Sequence, residues 1–155
     1  MFYQNRATPK MRNFAEHLLA YEARSIKSSE SKARAGFFVA EKLRSHLVTF
    51  LGNVGFRALL SRALVLTNAE IPWLRAVHVK ADGSLEGLDK LEAQIDSEEM
   101  AAGKVVLLAQ FLGLLEAFIG EHLTLQLVCE VWPQLAFNGV DCSKGNKNET
   151  AKRRG

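Results

Sequence analysis

Residues 105–119 read VVLLAQFLGLLEAFI and form the most hydrophobic stretch of the chain. Apolar side chains occupy nearly every face of a helix with this sequence, which is typical of a helix at the centre of a bundle. Gln110 and Glu116 interrupt the stretch, and a spanning helix needs about 20 mostly apolar residues. The stretch therefore predicts a buried core helix, around which the rest of the fold is arranged.

The whole chain has the composition of a globular protein. It contains 155 residues, of which 48% are hydrophobic and 24% are charged, and this excludes an intrinsically disordered or collagen-like chain. Its two cysteines, Cys129 and Cys142, are too few for a disulfide-stapled miniprotein. We expect Cys129 to be a small buried helix residue and Cys142 to lie in a mobile tail.

Apolar periodicity and boundary residues predict the helices around the core stretch. Thr8 is a good N-cap residue, and Pro9 suits the first helical position. Gly52 supplies a stop signal, while Pro72 and Pro133 limit the helices that precede them. The predicted helices span 9–25, 30–51, 54–70, 88–95 and 97–132, with a bend or break near Gly120 in the last and longest.

The segment between Trp73 and Leu88 is the least helical part of the sequence. Apolar and polar residues alternate on both sides of Asp82-Gly83, and this dipeptide between alternating runs indicates a β-hairpin. A loop with a single tight turn is the alternative. The expected fold is thus a mostly all-α bundle of five to six helices around a long C-terminal helix, with a short hairpin at 76–88.

The chain is expected to form one domain at 8–138, between a flexible arm at 1–7 and a disordered basic tail at 139–155. The tail sequence GVDCSKGNKNETAKRRG has almost no apolar content, which favours disorder. The first residues lack the apolar stretch of a secretory signal. We therefore expect a cytoplasmic protein without a membrane segment.

Glu116 is the unusual residue of the core stretch, because a buried carboxylate needs a partner or a raised pKa. It is either a general acid/base or a ligand anchor, or it is an ordinary residue that lies at an edge or pairs with an arginine of residues 30–70. Trp73 and Trp132 each stand beside a proline at a helix end, where an aromatic side chain either closes a core or stacks on a ligand. Glu116, Trp73 and Trp132 are the candidate residues of a ligand pocket.

Ala109, Gly113 and Ala117 recur at every fourth position and form a ridge of small side chains on the core helix. Such a ridge allows another helix backbone to approach closely. Packing within the monomer is the simpler interpretation. The alternative is a homodimer seam along this helix, since a few short elements leave part of so apolar a helix uncovered.

Charge is distributed unevenly along the chain. Residues 1–80 carry a net charge of +8, residues 81–138 carry −8 and residues 139–155 carry +3. The basic charges of residues 1–80 and the acidic charges of residues 81–138 can balance each other within one molecule or between protomers. Alternatively, the basic residues can bind phosphate groups. The candidate basic face consists of Arg34, Lys42, Arg44, Arg57 and Arg62.

The sequence carries no recognisable catalytic or metal motif. It lacks a Glu-x-x-His pair, zinc-binding Cys and His spacings, a phosphate-binding glycine loop and a Gly-x-Ser-x-Gly elbow. We therefore expect no metal, no cofactor and no enzymatic activity. The favoured function is a protein–protein interaction or regulatory module that acts as a homodimer with an unknown partner. A nucleic-acid-binding protein and a bundle that binds a small apolar ligand are the alternatives.

Overall fold

The computed structural model describes residues 8–25, 31–137 and 140–142, and helices account for most of them. This confirms the expected mostly helical class. The elements are α1 (Pro9–Ser25), α2 (Ser31–Asn68), a 3-10 helix (Pro72–Ala76), β1 (His78–Val79), β2 (Leu85–Glu86), α3 (Leu88–Gln94), α4 (Ser97–Ile119), α5 (Glu121–Val131), β3 (Ala136–Phe137) and β4 (Val140–Asp141).

The expected count of five to six helices is not matched, because four helices within the described ranges exceed ten residues. The segments expected at 30–51 and 54–70 form the two parts of α2, which meet at the expected stop, a kink at Gly52 (φ 83°, ψ 162°). Gly120 (φ 95°) separates α4 from α5, which confirms the break expected there within the helical region 97–132. Side chains rarely tolerate this positive φ, which is why both breaks fall on glycine.

Helix α4 lies at the centre of the bundle and packs against α1, α2 and α5. Its side chains are continuously buried from Val106 to Leu112, as the sequence of the core stretch predicts. The fold is therefore built around a 23-residue helix rather than around a long C-terminal one. Phe56 of α2 meets Phe111 edge-to-face, with ring centroids 5.7 Å apart.

Both α4 and the Val39–Asn68 part of α2 are long and apolar enough to cross a membrane. In the fold, 50% of the most apolar 18-residue segment of α4 is buried, whereas 22% of the corresponding segment of α2 is buried. A core helix of a soluble protein has the same composition, so the length and hydropathy of these helices are weak evidence for a membrane location.

The hairpin forms around Asp82-Gly83, where β1 and β2 pair antiparallel with Val79 opposite Leu85. The Asp82 carboxylate accepts hydrogen bonds from the Ser84 backbone N–H (3.0 Å) and hydroxyl (2.6 Å). These bonds favour the ionised form, so the pKa of Asp82 is lower than usual. The turn needs glycine at position 83, where φ is 88°.

The C-terminal segment folds back onto the bundle after Trp132. Leu135 is fully buried, and its carbonyl accepts the N–H of Cys142 at 2.9 Å. Cys142 is also buried and forms a disulfide with Cys129. The domain therefore extends beyond the expected boundary at 138, and Cys142 belongs to the core rather than to a mobile tail. The arm at 1–7 and the tail from 143 lie outside the described residues.

Candidate functional site

The described residues hold a buried carboxylate that the sequence reasoning missed. Glu22 follows Phe14 and Leu18 on the buried face of α1 and is 3% exposed. One of its oxygens accepts hydrogen bonds from Lys42 Nζ at 2.9 Å and from Trp132 Nε1 at 3.0 Å. Phe14, Leu18 and Glu22 are spaced four residues apart, so they lie on the same face of α1. This spacing is the sequence signal that indicates a buried Glu22.

The Glu22 cluster joins three parts of the chain that are distant in sequence. Glu22 belongs to α1, Lys42 to α2 and Trp132 to the end of α5. A buried carboxylate must be paired or hydrogen-bonded, and both requirements are met here. The arrangement holds α1, α2 and the C-terminal segment together, and it explains the core position of Trp132.

The members of the candidate basic face do not form one free cationic surface. Lys42 is bound to Glu22, and Arg44 pairs with Glu41 and donates to the Asp82 carbonyl. Arg57 is half-buried and Arg62 is exposed. The side chain of Arg34 lies outside the described residues. Pairing with carboxylates reduces the charge that Lys42 and Arg44 offer to a polyanion.

A second cation–carboxylate contact ties α1 to the turn that follows α2. Arg12 donates two hydrogen bonds to Glu70, at 2.7 Å and 2.5 Å. The hydrogen bond to Glu70 raises the pKa of Arg12. This bidentate geometry is the strongest form of a carboxylate–guanidinium pair, and it links the first turn of α1 to the turn after α2.

The three candidate pocket residues lie in different places. Glu116 is half-buried near the end of α4, and the ion pairs found among the described residues do not include it. Trp73 packs over Gly103, where an added Cβ would lie 2.7 Å from the indole ring. Trp132 lies 2% exposed in the Glu22 cluster. They do not share one site.

The small-residue ridge passes from the core to the surface. Ala109 is fully buried, Gly113 is half-buried and Ala117 is exposed. Among the described residues, no atom outside the local helix lies within 4 Å of the position of a Cβ at Gly113. Close packing within the monomer therefore uses only the Ala109 end of the ridge.

An apolar cavity lies between α1, α2 and α4, beneath β2 and the start of α3. Its volume is about 70 Å³, and it is partly open to solvent. Leu43, Phe56 and Leu60 of α2 face Leu107, Leu108 and Phe111 of α4 across it. Among the described residues, Lys104 is its one charged lining residue. The expected polar residues Glu116, Trp73 and Trp132 do not line this cavity.

Large apolar side chains are exposed where α2 kinks and where α4 meets α5. Phe50 is 53% exposed, Val54 76%, Phe118 68% and Leu123 42%. Phe50 and Leu123 line one groove between α2 and α5. We call these four residues the end surface.

The helix directions place the end surface at one end of the bundle. Gly103 contacts Ile71 and Trp73, and Phe111 contacts Phe56. The second half of α2 therefore runs antiparallel to α4, and the C-terminal end of α4 lies toward the kink in α2. Contiguous exposed apolar residues mark interaction surfaces on soluble proteins, and Phe50 and Leu123 share one groove here.

Within the described ranges, no group of three His, Cys, Asp or Glu residues is placed to hold a metal ion. The comparisons with known proteins add no assignment: no family model, curated protein or solved structure matches this chain. Any function therefore has to be argued from the surfaces and cavities of the fold itself.

Proposed function

We propose that this chain is a non-enzymatic interaction module that acts as a homodimer through the end surface. The observation that carries the proposal is the exposure of Phe50, Val54, Phe118 and Leu123 at one end of the bundle. Removing apolar surface from water contributes about 25 cal/mol per Å², so covering these side chains favours association.

Charge complementarity supports a second copy as the occupant of this surface. Apart from Lys42 and Arg44, which pair within the chain, α2 carries four Lys and Arg, whereas residues 116–131 at the end of α4 and in α5 carry three Glu and no Lys or Arg. In a twofold dimer, the same patch of both protomers meets. An axis through the groove at Phe50 and Leu123 sets α2 of one protomer against α5 of its partner, so that cations face carboxylates.

The outer part of the small-residue ridge fits the same interface. Gly113 has open space above it and Ala117 is exposed one turn later. Both lie on the half of α4 that leads to Phe118. Small side chains there allow a partner helix to approach closely. Within the monomer, this part of the ridge is not used for close packing.

Light scattering at tens of micromolar tests the proposal. The expected mass is twice the 17.2 kDa of one chain, and Phe50→Glu should convert it to a monomer. Val65→Glu is the matched control, because Val65 is also on α2 and 59% exposed but lies outside the end surface. A monomeric wild type, or dissociation by both variants alike, would overturn the proposal.

Two further measurements separate other occupants from a second copy. A monomeric wild type that binds anionic vesicles, and a Phe50→Glu variant that does not, would show that the end surface binds a membrane and not a second copy. Binding to duplex or single-stranded nucleic acid at low salt would favour the basic-face alternative, since that attraction is strongest there. Neither binding is expected.

The cytoplasmic location remains part of the proposal and has its own test. Cytosolic thiols are mostly kept reduced, whereas Cys129 and Cys142 form a disulfide in the fold. Alkylation of cell extracts under denaturing conditions would count the free thiols. Two free thiols per chain would support a cytoplasmic location, whereas the absence of free thiols would support an oxidising compartment.

A further inference from the structure

We infer that the proposed dimer takes up a proton at His46 of each copy, so that two chains associate more tightly in weakly acidic than in weakly alkaline solution. This inference rests on the proposed function and names the regulation of its surface. The site is the groove between α2 and α5, where His46 and Phe50 lie on the α2 wall. Leu123 and Glu130 lie on the α5 wall. His46 and Glu130 are both exposed, and the ion pairs found among the described residues include neither of them.

The contacts of Glu22 show which residues share one end of the groove. Lys42 of α2 and Trp132 at the end of α5 both donate to Glu22, so these two positions lie side by side. His46 follows Lys42 by one helical turn, and Glu130 stands just before Trp132. His46 and Glu130 therefore lie together at the end of the groove opposite to the end surface.

A twofold axis along the groove brings these two side chains together across the interface. Such an axis places each residue of α2 opposite the residue of the partner's α5 that stands at the same level of the groove. Each His46 then faces Glu130 of the partner subunit, and symmetry makes two such pairs in one dimer. Covering the groove removes water from both pairs, which strengthens the attraction between opposite charges.

A backbone contact decides which nitrogen of His46 meets the carboxylate. Its Nδ1 lies 3.3 Å from the carbonyl oxygen of Lys42, and this contact favours the tautomer with a hydrogen on Nδ1. In the neutral ring Nε2 then carries no hydrogen, so it cannot donate to the carboxylate of Glu130. Protonation of Nε2 supplies a donor and a positive charge together, so it is the charged ring that pairs with Glu130.

The other charged groups around His46 pair within the chain. Glu41, Lys42 and Arg44 lie beside His46 on α2. Arg44 pairs with Glu41, and Lys42 pairs with the buried carboxylate of α1. On α5, Glu130 is the one charged residue among the described residues that line the groove. The charge that His46 meets on association is therefore negative.

Proton uptake on association determines the direction of the pH effect. Histidine is the side chain whose charge ordinarily changes between about pH 5 and about pH 8. Because the dimer binds the two protons more tightly than the separate chains do, its additional stability is present at low pH and is lost as the pH rises. We expect the Kd of the dimer to be about tenfold lower at about pH 6 than at about pH 8, which is about 1.4 kcal/mol shared by two pairs.

Sedimentation equilibrium of the full chain, at constant ionic strength between about pH 6 and about pH 8, tests the inference. His46→Gln and Glu130→Gln each remove one partner of the pair, so the Kd of either variant should change less than about twofold over this range. His122→Gln is the matched control, because His122 is also exposed on α5 but does not line the groove. It should keep the pH dependence of the wild type.

The inference and the proposed function fail in different ways. A wild type that is monomeric throughout this pH range would refute the dimer and the inference with it. A dimer whose Kd is unchanged, or higher, at the lower pH would refute the inference alone. A pH effect that persists in His46→Gln and disappears in His122→Gln would likewise overturn the role of His46.

Discussion

Replacing Lys42 with methionine should destabilise the protein more than replacing Glu22 with glutamine, although both changes remove the same ion pair. The two side chains differ in exposure: that of Lys42 is 44% exposed and that of Glu22 is 4% exposed. Glu22→Gln leaves a lysine that turns toward water. Lys42→Met leaves a buried carboxylate whose only remaining described hydrogen bond is the one from Trp132.

The magnitudes follow from the cost of a buried charge without its partner. Such a charge costs about 3 kcal/mol or more, so we expect about 3 kcal/mol for Lys42→Met. Glu22→Gln keeps an acceptor for Trp132 and should cost about 1 kcal/mol. At about 3 °C per kcal/mol for a chain of this size, the Tm should fall by about 9 °C and about 3 °C.

Urea unfolding followed by tryptophan fluorescence measures both variants and the double variant. In Glu22→Gln with Lys42→Met neither charge of the pair remains, so the loss should return to about 1 kcal/mol and the coupling energy should be about 3 kcal/mol. Lys10→Met is the control, because its pair with Glu121 is exposed on both sides and should contribute less than about 0.5 kcal/mol. A loss below about 1 kcal/mol for Lys42→Met would show that water reaches the carboxylate and would refute the argument.

Three further outcomes are expected. In the oxidised protein, Cys142→Ser opens a bridge between residues 13 positions apart and should cost about 3 kcal/mol in urea unfolding; a variant as stable as the oxidised wild type would contradict this. Gly103→Ala should cost about 1–3 kcal/mol, because the new Cβ would lie 2.7 Å from the Trp73 ring, and an unchanged Tm would refute the contact. The lowered pKa of Asp82 means that its contribution to stability is present above the unfolded pKa of about 3.9 and is lost as the pH falls through the folded value. The stability difference between wild type and Asp82→Asn should accordingly disappear in acid, and a difference that persists to about pH 2 would exclude this origin.

Local signals in the sequence predict the elements that a few neighbouring residues control. Thr8 accepts the Met11 N–H at 3.1 Å, and α1 spans Pro9–Ser25 as its capping and spacing predict. Asp96 accepts the Glu98 N–H at 3.1 Å and begins α4. The hairpin at Asp82-Gly83 and the breaks at Gly52 and Gly120 are equally local, because each rests on the backbone preferences of one or two residues.

The sequence by itself thus determined the helical class, the central position of the core stretch and most element boundaries. Tertiary structure alone decided the role of Glu22, whose partner Trp132 is 110 residues away, and the pairing of Cys142 with Cys129. It also decided which apolar residues stay exposed and that Lys104 lines the cavity. Periodicity reports which face of a helix is apolar, but only packing in three dimensions selects the neighbour of each face, and burial, pairing and cavities depend on that neighbour.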